Sequence, residues 1–284
     1  MCPVNHSVCE EEALVQIEQE AIVDRTLENP LIEICLDDLT RNERGTLEHD
    51  LALAARIQQM LLPTRDFSPS GWQVRYHYAP AGLLSGDYCD LFESDGNLLF
   101  LLGDVTGKGV AASMLVSHLH AIFRSLAGGD PPLDLMVEAA NRVFGHTTLS
   151  GQFATLVVGR ASRDGAVEFV SAGHPPLLHL SKGTVRHEPA TGVPLGAFSD
   201  ARFSVRRFCI EPGDTLLLYT DGLTEARNPV GEEYGMDRVR RVAARQSSAR
   251  PSQLISETLS DLLSFTQETK QNDDLTMLAI RRAS

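Results

Sequence analysis

The hydrophobic positions of the chain follow two periods, one helical and one extended. Between Leu47 and Leu62 they recur every three or four residues, as on the face of a helix, and Pro63 ends the pattern. After Trp72 the apolar residues gather in short runs divided by turns rich in Gly, Pro and Asp. These runs predict strands over residues 72–79, 98–102, 153–158, 166–170, 177–180, 203–210, 215–219 and 275–280.

Helical periodicity returns in two pairs of segments between the strands. The predicted helices cover residues 110–126, 133–144, 236–244 and 251–265. Strands that follow one another in groups, with helices in pairs, are not typical of an alternating parallel fold. The pattern therefore predicts an α+β fold of antiparallel sheets packed by helices, preceded by an N-terminal helical segment.

The same pattern divides the chain into three segments. Residues 1–45 form an acidic lead segment with too few apolar positions for a core, residues 46–63 a linker or regulatory helix, and residues 64–284 the main domain. The helix at 47–62 carries two apolar stripes, namely Leu47, Leu51, Ala54 and Leu61 on one and Leu53, Ile57 and Met60 on the other. Two interpretations stay open: the helix packs only on its own domain, or one stripe pairs with a second chain to form a homodimer.

Composition narrows the class of protein. A chain of 284 residues with 43% hydrophobic content can bury a core, and its formal net charge of -13 argues against general affinity for nucleic acid or anionic membrane. Five scattered cysteines without a C-x-x-C pair indicate neither a disulfide framework nor a zinc knuckle. There is no signal-peptide pattern and no apolar stretch of the roughly 20 residues that a membrane span needs. We expect a cytoplasmic enzyme or regulator whose partner is a protein or an ion.

Aspartates mark the boundaries of several apolar runs. Asp87, Asp104, Asp221 and either Asp273 or Asp274 share this position. If the strand ends converge, these buried carboxylates need cations, and oxygen-only ligands suit Mg²⁺ or Mn²⁺. Two such ions activate water against a phosphoryl group, which is hydrolase chemistry.

Simpler interpretations of these aspartates also stay open. Asp221-Gly222 on its own is more often a hairpin turn than a ligand, and Asp273-Asp274 equally suits the turn before an edge strand. Asp90 is interpreted as capping or solvating a strand edge. Spacing alone does not bring the four aspartates together.

The loop from Gly103 to Gly109 looks like a phosphate-binding loop but fails the test for one. A Walker A motif has four residues between its glycines and Ser or Thr after the lysine, whereas here there are three residues and then Gly109. Nucleotide hydrolysis is excluded on this ground, and Lys108 is expected to be a solvated loop residue.

Six motifs, in order along the chain, resemble those of the PPM-type (type 2C) metal-dependent serine/threonine phosphatases, in the bacterial SpoIIE/RsbU branch. They lie at residues 55–63 (ARIQQMLLP), 85–90 (SGDYCD), 103–109 (GDVTGKG), 171–176 (SAGHPP), 219–226 (YTDGLTEA) and 272–276 (NDDLT). The resemblance spans residues 47–280. It implies a four-layer αββα sandwich with a centre of two Mn²⁺ or Mg²⁺ ions at one edge of the sheets.

The resemblance also assigns roles to residues. Asp87, Asp104, Asp221 and Asp273 match the metal-binding, catalytic aspartates, and Val105 matches a ligand acting through its backbone carbonyl; by this match Asp274 is the less favoured ligand. His174 matches a residue of structural role. Two positions depart from the family pattern: Ser85 replaces a glycine, and Thr106 stands where eukaryotic members carry a histidine proposed as general acid.

The implied function is hydrolysis of phosphoserine or phosphothreonine on a partner protein by metal-activated water, without a covalent enzyme intermediate. By resemblance the substrate is a phosphorylated STAS-domain anti-anti-sigma factor, and the pathway is a partner-switching pathway of sigma-factor regulation. The alternative is a signalling or scaffold module that keeps the fold without turnover. Retention of all the matched aspartates favours the enzyme.

Overall fold

The computed structural model describes residues 41–64, 67, 69–267 and 269–283. The strands within these residues are β1 (Trp72–Ala79), β2 (Asp87–Ser94), β3 (Asn97–Val105), β4 (Ala154–Ala161), β5 (Ala166–Ala172), β6 (Leu177–Ser181), β7 (Thr184–Glu188), β8 (Arg206–Cys209), β9 (Thr215–Tyr219) and β10 (Leu275–Arg282). The helices are α1 (Arg41–Leu61), α2 (Val110–Leu126), α3 (Leu133–Gly145), α4 (Asp221–Thr224), α5 (Gly235–Arg245) and α6 (Pro251–Thr266).

The strands form two antiparallel sheets of five. One sheet has the order β1-β10-β9-β6-β7 and the other the order β2-β3-β4-β5-β8. Consecutive strands β2, β3, β4 and β5 are neighbours in the second sheet, whereas β10 returns from the end of the chain to lie between β1 and β9. The first sheet therefore gathers segments from the beginning and end of the domain.

The alternation of side chains along β3 explains why its apolar run is continuous. Leu99 and Leu101 pack in a cluster with α2 and α3, whereas Leu98, Phe100 and Leu102 pack in a second cluster between the two sheets. Successive side chains of a strand point to opposite faces, so a strand covered on both faces needs apolar residues throughout.

Strands β9 and β10 divide in the same way. Leu216 and Leu278 belong to the cluster between the sheets, whereas Leu217 and Met277 pack in a third cluster with α5 and α6. The layers within residues 51–284 are thus a helix pair, a sheet, a sheet and a helix pair. The predicted αββα sandwich is confirmed.

Four elements differ from their sequence predictions. Strand β2 was not predicted as a strand, because polar residues interrupt it, and β7 was missed because Val185 is its one apolar residue. The strand predicted at 203–210 is reduced to β8. Asp221 opens the short helix α4 instead of a hairpin turn.

Helix α1 begins at Arg41, six residues before the predicted start at Leu47, because its polar first turns carry no apolar period. The structure divides into two compact units, Met1–Asp50 and Leu51–Ser284, with the boundary inside this helix. Residues 1–40 lie outside the described part of the chain, so the three segments proposed from the sequence stay a prediction. None of the described helices is both long and apolar enough to cross a membrane.

Candidate metal centre

Asp87 and Asp104 lie opposite each other at the end of the β2–β3 hairpin. Asp87 is the first residue of β2 and pairs in register with Asp104, the last but one residue of β3. Residues directly opposite in an antiparallel pair point to the same face and lie close together. The register of one hairpin therefore brings two of the predicted site residues together.

The other sheet fixes the position of Asp87. Thr220, which follows β9, donates its hydroxyl hydrogen bond to Asp87 Oδ2 at 3.0 Å, and Thr276 of β10 donates to the same oxygen at 2.5 Å. The Thr276 backbone N–H donates in turn to Thr220 Oγ1 at 3.0 Å. These buried bonds connect the two sheets at the candidate site.

Asp221 reaches this end of the sheets because α4 begins directly after β9. The backbone of α4 packs tightly on the segment before β10: a Cβ added at Gly222 would lie 1.9 Å from the carbonyl oxygen of Asp274. Only glycine permits this approach. Backbone packing therefore requires glycine at position 222.

The two neighbouring aspartates before β10 have separate roles. Asp274 is buried and its carboxylate oxygens accept the backbone N–H groups of Ala81 and Gly86, each at 2.7 Å. Asp273 has a side chain 39% exposed, and its Oδ1 lies 3.1 Å from Lys108 Nζ. Asp274 thus holds the loop before β2 by hydrogen bonds, while Asp273 forms an ion pair with Lys108.

Lys108 lies in a loop and its side chain is 54% exposed, as predicted from the sequence, but it also has specific partners. Besides its ion pair with Asp273, its ammonium group donates to the backbone carbonyl of Asn272 at 2.5 Å. These contacts join the loop after β3 to the segment before β10. The sequence carries no local signal for them, since the partners are far apart along the chain.

Negative charge accumulates where these segments meet. Burial raises the pKa of the Asp87 carboxyl to about 8; repulsion from Asp274 and Asp221 adds to this, and the threonine hydrogen bonds oppose it. Burial likewise raises the pKa of Asp104 to about 8, with repulsion from Asp87 the next cause. Without a counter-charge these groups hold protons at neutral pH.

Asp221 belongs to the same electrostatic cluster. Burial raises its pKa, and the charge of Asp273 raises it further, while Lys108 acts in the opposite direction. The cluster therefore includes side chains from both sheets and from the segment before β10. Such a cluster is stabilised either by protons or by bound cations.

The donors present here suit Mg²⁺ or Mn²⁺. All of these donors are oxygen atoms, which these two ions prefer. Glycine at position 86 lets the loop approach the Val105 carbonyl closely, because a Cβ added there would lie 3.0 Å from the carbonyl oxygen. Among the described residues, no three His, Cys, Asp or Glu side chains are gathered closely enough to hold one ion between them. Because Mg²⁺ keeps several waters and needs only one or two carboxylates, the residues fit this kind of ion.

The two departures from the family pattern have simple structural accounts. Ser85 Oγ accepts the backbone N–H of Asp87 at 3.0 Å, so the serine supports the loop. Thr106 is engaged with Phe153: its hydroxyl donates to the Phe153 carbonyl at 3.1 Å and accepts from the Phe153 N–H at 3.0 Å. This threonine connects β3 to the segment before β4.

His174 and Asp90 are buried outside the carboxylate cluster. His174 Nδ1 lies 2.8 Å from Thr155 Oγ1, and burial lowers the pKa of this histidine to about 3, so it is neutral. Asp90 does not solvate a strand edge as predicted; it is fully buried and accepts two hydrogen bonds of 2.7 Å from Arg124. Both side chains stabilise the packing around the strands.

A groove of about 420 Å³ lies beside the cluster. Lys108, Gly222 and Asp273 line the side next to the aspartates, and Leu263 of α6 contributes an exposed apolar side chain. The groove offers space for a substrate segment next to the candidate centre.

Sequence reasoning identified the acidic residues but assigned no role to Thr220 or Thr276. Thr220 lies in the motif at residues 219–226 and Thr276 in the motif at residues 272–276, each close to an aspartate at a strand boundary. A threonine within one or two residues of an aspartate at a strand boundary is the available sequence signal for a side chain that orients a carboxylate.

The two sheets, their flanking helix pairs and the aspartates at one end are the features of a PP2C-type phosphatase domain. The solved SiaA-PP2C domain of Pseudomonas aeruginosa has the same fold, with a TM-score of 0.74 at 20% identity, over 84% of this chain and 98% of that domain. The family model described as stage II sporulation protein E (SpoIIE) matches residues 94–283, more than half of the chain. The chain belongs to the SpoIIE family.

Curated relatives are similar over most of this chain. Protein IcfG of Synechocystis sp. is 27% identical over 268 residues, covering 84% of this chain but 42% of IcfG. Phosphoserine phosphatase RsbU of Bacillus subtilis is 26% identical over 245 residues, covering 85% of this chain and 72% of RsbU. The chain thus spans less than half the length of IcfG and nearly three quarters of RsbU. PP2C-type phosphatases depend on Mn²⁺ or Mg²⁺.

Proposed function

We propose that this chain is a metal-dependent protein phosphatase that hydrolyses phosphoserine or phosphothreonine on a partner protein. The observation that carries the proposal is the cluster of aspartates at one end of the sheets, in which Asp87 and Asp104 lie opposite each other and burial raises the pKa of both to about 8. Divalent cations would displace the protons from these carboxyl groups and supply the counter-charge that the cluster lacks. Its position in a SpoIIE-family domain supports phosphate ester hydrolysis.

Asp87, Asp104, Asp221, Asp273 and the Val105 carbonyl are the proposed ligands of two Mn²⁺ or Mg²⁺ ions. When bound, the ions supply acidification of a water nucleophile and neutralisation of the phosphoryl oxygens. Asp87 Oδ2 is engaged by two threonine hydroxyls, which leaves Oδ1 for an ion. The engagement of both Asp274 oxygens with backbone N–H groups supports Asp273 as the ligand of this pair.

The side chains of the domain hold the reacting groups and leave proton donation to solvent. Thr106 is engaged with Phe153 and does not serve as the general acid that a histidine supplies in eukaryotic members. The leaving serine or threonine oxygen therefore takes its proton from water. The groove beside Asp273 receives the residues next to the phosphorylated one.

The proposed substrate is a phosphorylated STAS-domain anti-anti-sigma factor, and the proposed role is in a partner-switching pathway. Support comes from the similarity to RsbU, which is named a phosphoserine phosphatase. A second copy of the chain is the proposed partner of α1. Its exposed apolar residues Leu53, Ile57 and Met60 support this pairing, since they lie on one helical face.

The test is phosphate release from a serine-phosphorylated STAS-domain protein by the purified chain with Mn²⁺. We expect release with Mn²⁺, none after exhaustive chelation, and nearly none from Asp221→Asn. Asp200→Asn, which changes an exposed aspartate, is the matched control and should keep full activity.

Each failure of this test has a separate meaning. Release that survives chelation contradicts the metal centre, and full activity of Asp221→Asn removes that residue from it. Release from other phosphoproteins but not from STAS-domain proteins contradicts the substrate alone. Absence of release from any phosphoprotein, in a folded chain that binds Mn²⁺, supports the silent signalling module.

A further inference from the structure

Gln58 is a buried polar residue of α1, although the residues directly before and after it in the chain are exposed. Its side chain is 5% exposed, whereas Ile57 before it is 61% exposed and Gln59 after it is exposed. A buried amide is stabilised only if its donor and acceptor find partners. The partners of Gln58 therefore indicate what this face of α1 contacts.

Both partners belong to one residue of the loop before β2. Gln58 Nε2 donates to the Ser85 carbonyl at 2.7 Å, and the Ser85 N–H donates to Gln58 Oε1 at 3.0 Å. A glutamine amide is suited to this pairing because it carries one donor and one acceptor group side by side. The side chain thus satisfies both backbone groups of Ser85.

Ser85 is the first of three consecutive residues that are each held by a different part of the fold. Gly86 donates to the Asp274 carboxylate at 2.7 Å and its carbonyl accepts the Val105 N–H at 3.0 Å. Asp87 is held by the threonines of the other sheet and by Ser85 Oγ. Gln58 is, among the described residues, the contribution of α1 to this set of bonds.

We propose that Gln58 is a positioning residue for the metal centre. It holds Ser85, and through Ser85 and Gly86 it fixes the Asp87 carboxylate relative to the Val105 carbonyl. The inference rests on the proposed function and deepens it, because it makes metal affinity depend on the position of α1. A displacement of the helix removes the partners of both Ser85 backbone groups and loosens the loop that carries Asp87.

The expected size of the effect follows from similar supporting residues. Loss of a group that orients a metal ligand typically weakens metal affinity about 10–100-fold. A purely structural role predicts a different result, in which the domain is less stable but binds the ion with unchanged affinity once folded.

The experiment uses the full chain with Gln58→Met, which keeps the volume of the side chain but neither hydrogen bond, and Gln58→Leu as a second variant in case one folds poorly. Gln59→Met is the matched control, because it makes the same change at the adjacent, exposed glutamine. Mn²⁺ affinity is measured by calorimetry without substrate, and the melting temperature is measured in chelator. Turnover of p-nitrophenyl phosphate is then followed over a range of Mn²⁺ concentrations.

We expect Gln58→Met to bind Mn²⁺ about 10-fold or more weakly, to need correspondingly more Mn²⁺ for half-maximal turnover, and to recover most of its maximal rate. Gln59→Met should match the unmodified chain. An unchanged Mn²⁺ affinity in folded Gln58→Met or Gln58→Leu overturns the inference, whatever the melting temperature. If Gln58→Met weakens Mn²⁺ binding but the unmodified chain hydrolyses no phosphate ester, the inference stands and the proposed function fails.

Discussion

Lys108 Nζ lies 3.1 Å from Asp273 Oδ1, so a lysine of the loop after β3 is paired with the aspartate proposed as a metal ligand. The pair is partly exposed, with 54% of the lysine side chain and 39% of the aspartate side chain accessible to solvent. Solvent screening therefore keeps the ion pair weak. The positive charge of Lys108 therefore competes with a divalent ion for the carboxylate of Asp273.

The first prediction is that Lys108→Met tightens Mn²⁺ binding. The substitution removes a competing cation and makes the cluster more negative, and a screened pair of up to about 1 kcal/mol corresponds to about a fivefold change in affinity. Calorimetric titration with Mn²⁺ measures it. Lys270→Met, at an exposed lysine lining the same groove, is the control for the loss of one charge. Weaker binding by Lys108→Met would mean that the lysine supports the centre.

The second prediction concerns pH and Asp104. The pKa of Asp104 in the folded protein is about 8, above the ordinary value of 3.8. Between about pH 4 and about pH 8, therefore, the metal-free folded protein keeps the Asp104 proton, whereas the unfolded chain has released it. The free energy of unfolding contributed by this group therefore falls as pH rises from about 4 to about 8, and is constant above. Asp104→Asn removes this dependence and nearly all Mn²⁺-dependent turnover.

Chemical unfolding of metal-free protein between pH 5.5 and 8.5 measures this effect. The stability of Asp104→Asn relative to the unmodified chain should increase over this range. His174, whose lowered pKa gives stability the opposite dependence at low pH, is present in both proteins and cancels in the comparison. A difference that does not change with pH contradicts the raised pKa.

The sequence was sufficient to find the aspartates but not the way they meet. The apolar runs that precede Gly103-Asp104 and Thr220-Asp221 predicted strand ends, because β3 and β9 consist mostly of apolar residues. Convergence depends on the register of β2 against β3 and on the contact between the sheets, which are non-local. Family resemblance supplied that step, and the fold it implied is the one observed.

The supporting residues were beyond prediction for a different reason. Gln58 and Gln59 are identical in type and adjacent, and only the packing of α1 makes one buried and the other exposed. Asp273 and Asp274 are equally ambiguous, since a difference in backbone direction decides which carboxylate accepts the loop N–H groups. Local sequence contains no information on either choice.

A third prediction is that Gly222→Ala disrupts the centre. The added Cβ would meet the Asp274 carbonyl at 1.9 Å, and a backbone atom cannot move aside without shifting the segment that carries Asp273. We expect a lower melting temperature and weaker Mn²⁺ binding. Gly128→Ala is the control, because no atom lies within 4 Å of its added Cβ. If Gly222→Ala binds Mn²⁺ normally, α4 is not rigidly coupled to the site.

The fourth prediction tests the ion pair between Asp90, which is buried, and Arg124, whose side chain is 41% exposed. Arg124→Met leaves the buried Asp90 carboxylate without its guanidinium, which should lower the free energy of unfolding by about 1–3 kcal/mol. Adding Asp90→Asn should recover part of the loss, since it removes the unpaired charge. Urea unfolding of both variants measures it, with Arg142→Met at an exposed arginine as control. Equal stability of Arg124→Met and Arg142→Met would contradict the prediction.

The last prediction concerns the exposed face of α1. Leu53, Ile57 and Met60 are 41%, 61% and 82% exposed, although they follow helical spacing that usually indicates burial. Because Gln58 contacts the metal-site loop from the same helix, a second chain packed on the exposed face would restrain the helix and so favour the bonded arrangement of Ser85. Leu53→Glu with Ile57→Glu should therefore lower the molecular mass in light scattering and raise the Mn²⁺ concentration for half-maximal turnover.

The melting temperature of the domain should be unchanged, and Leu47→Glu with Leu51→Glu serves as the comparison. If mass and metal dependence are unchanged in both double variants, α1 does not pair with a second chain through these residues; if the first variant unfolds, its stripe is part of the core.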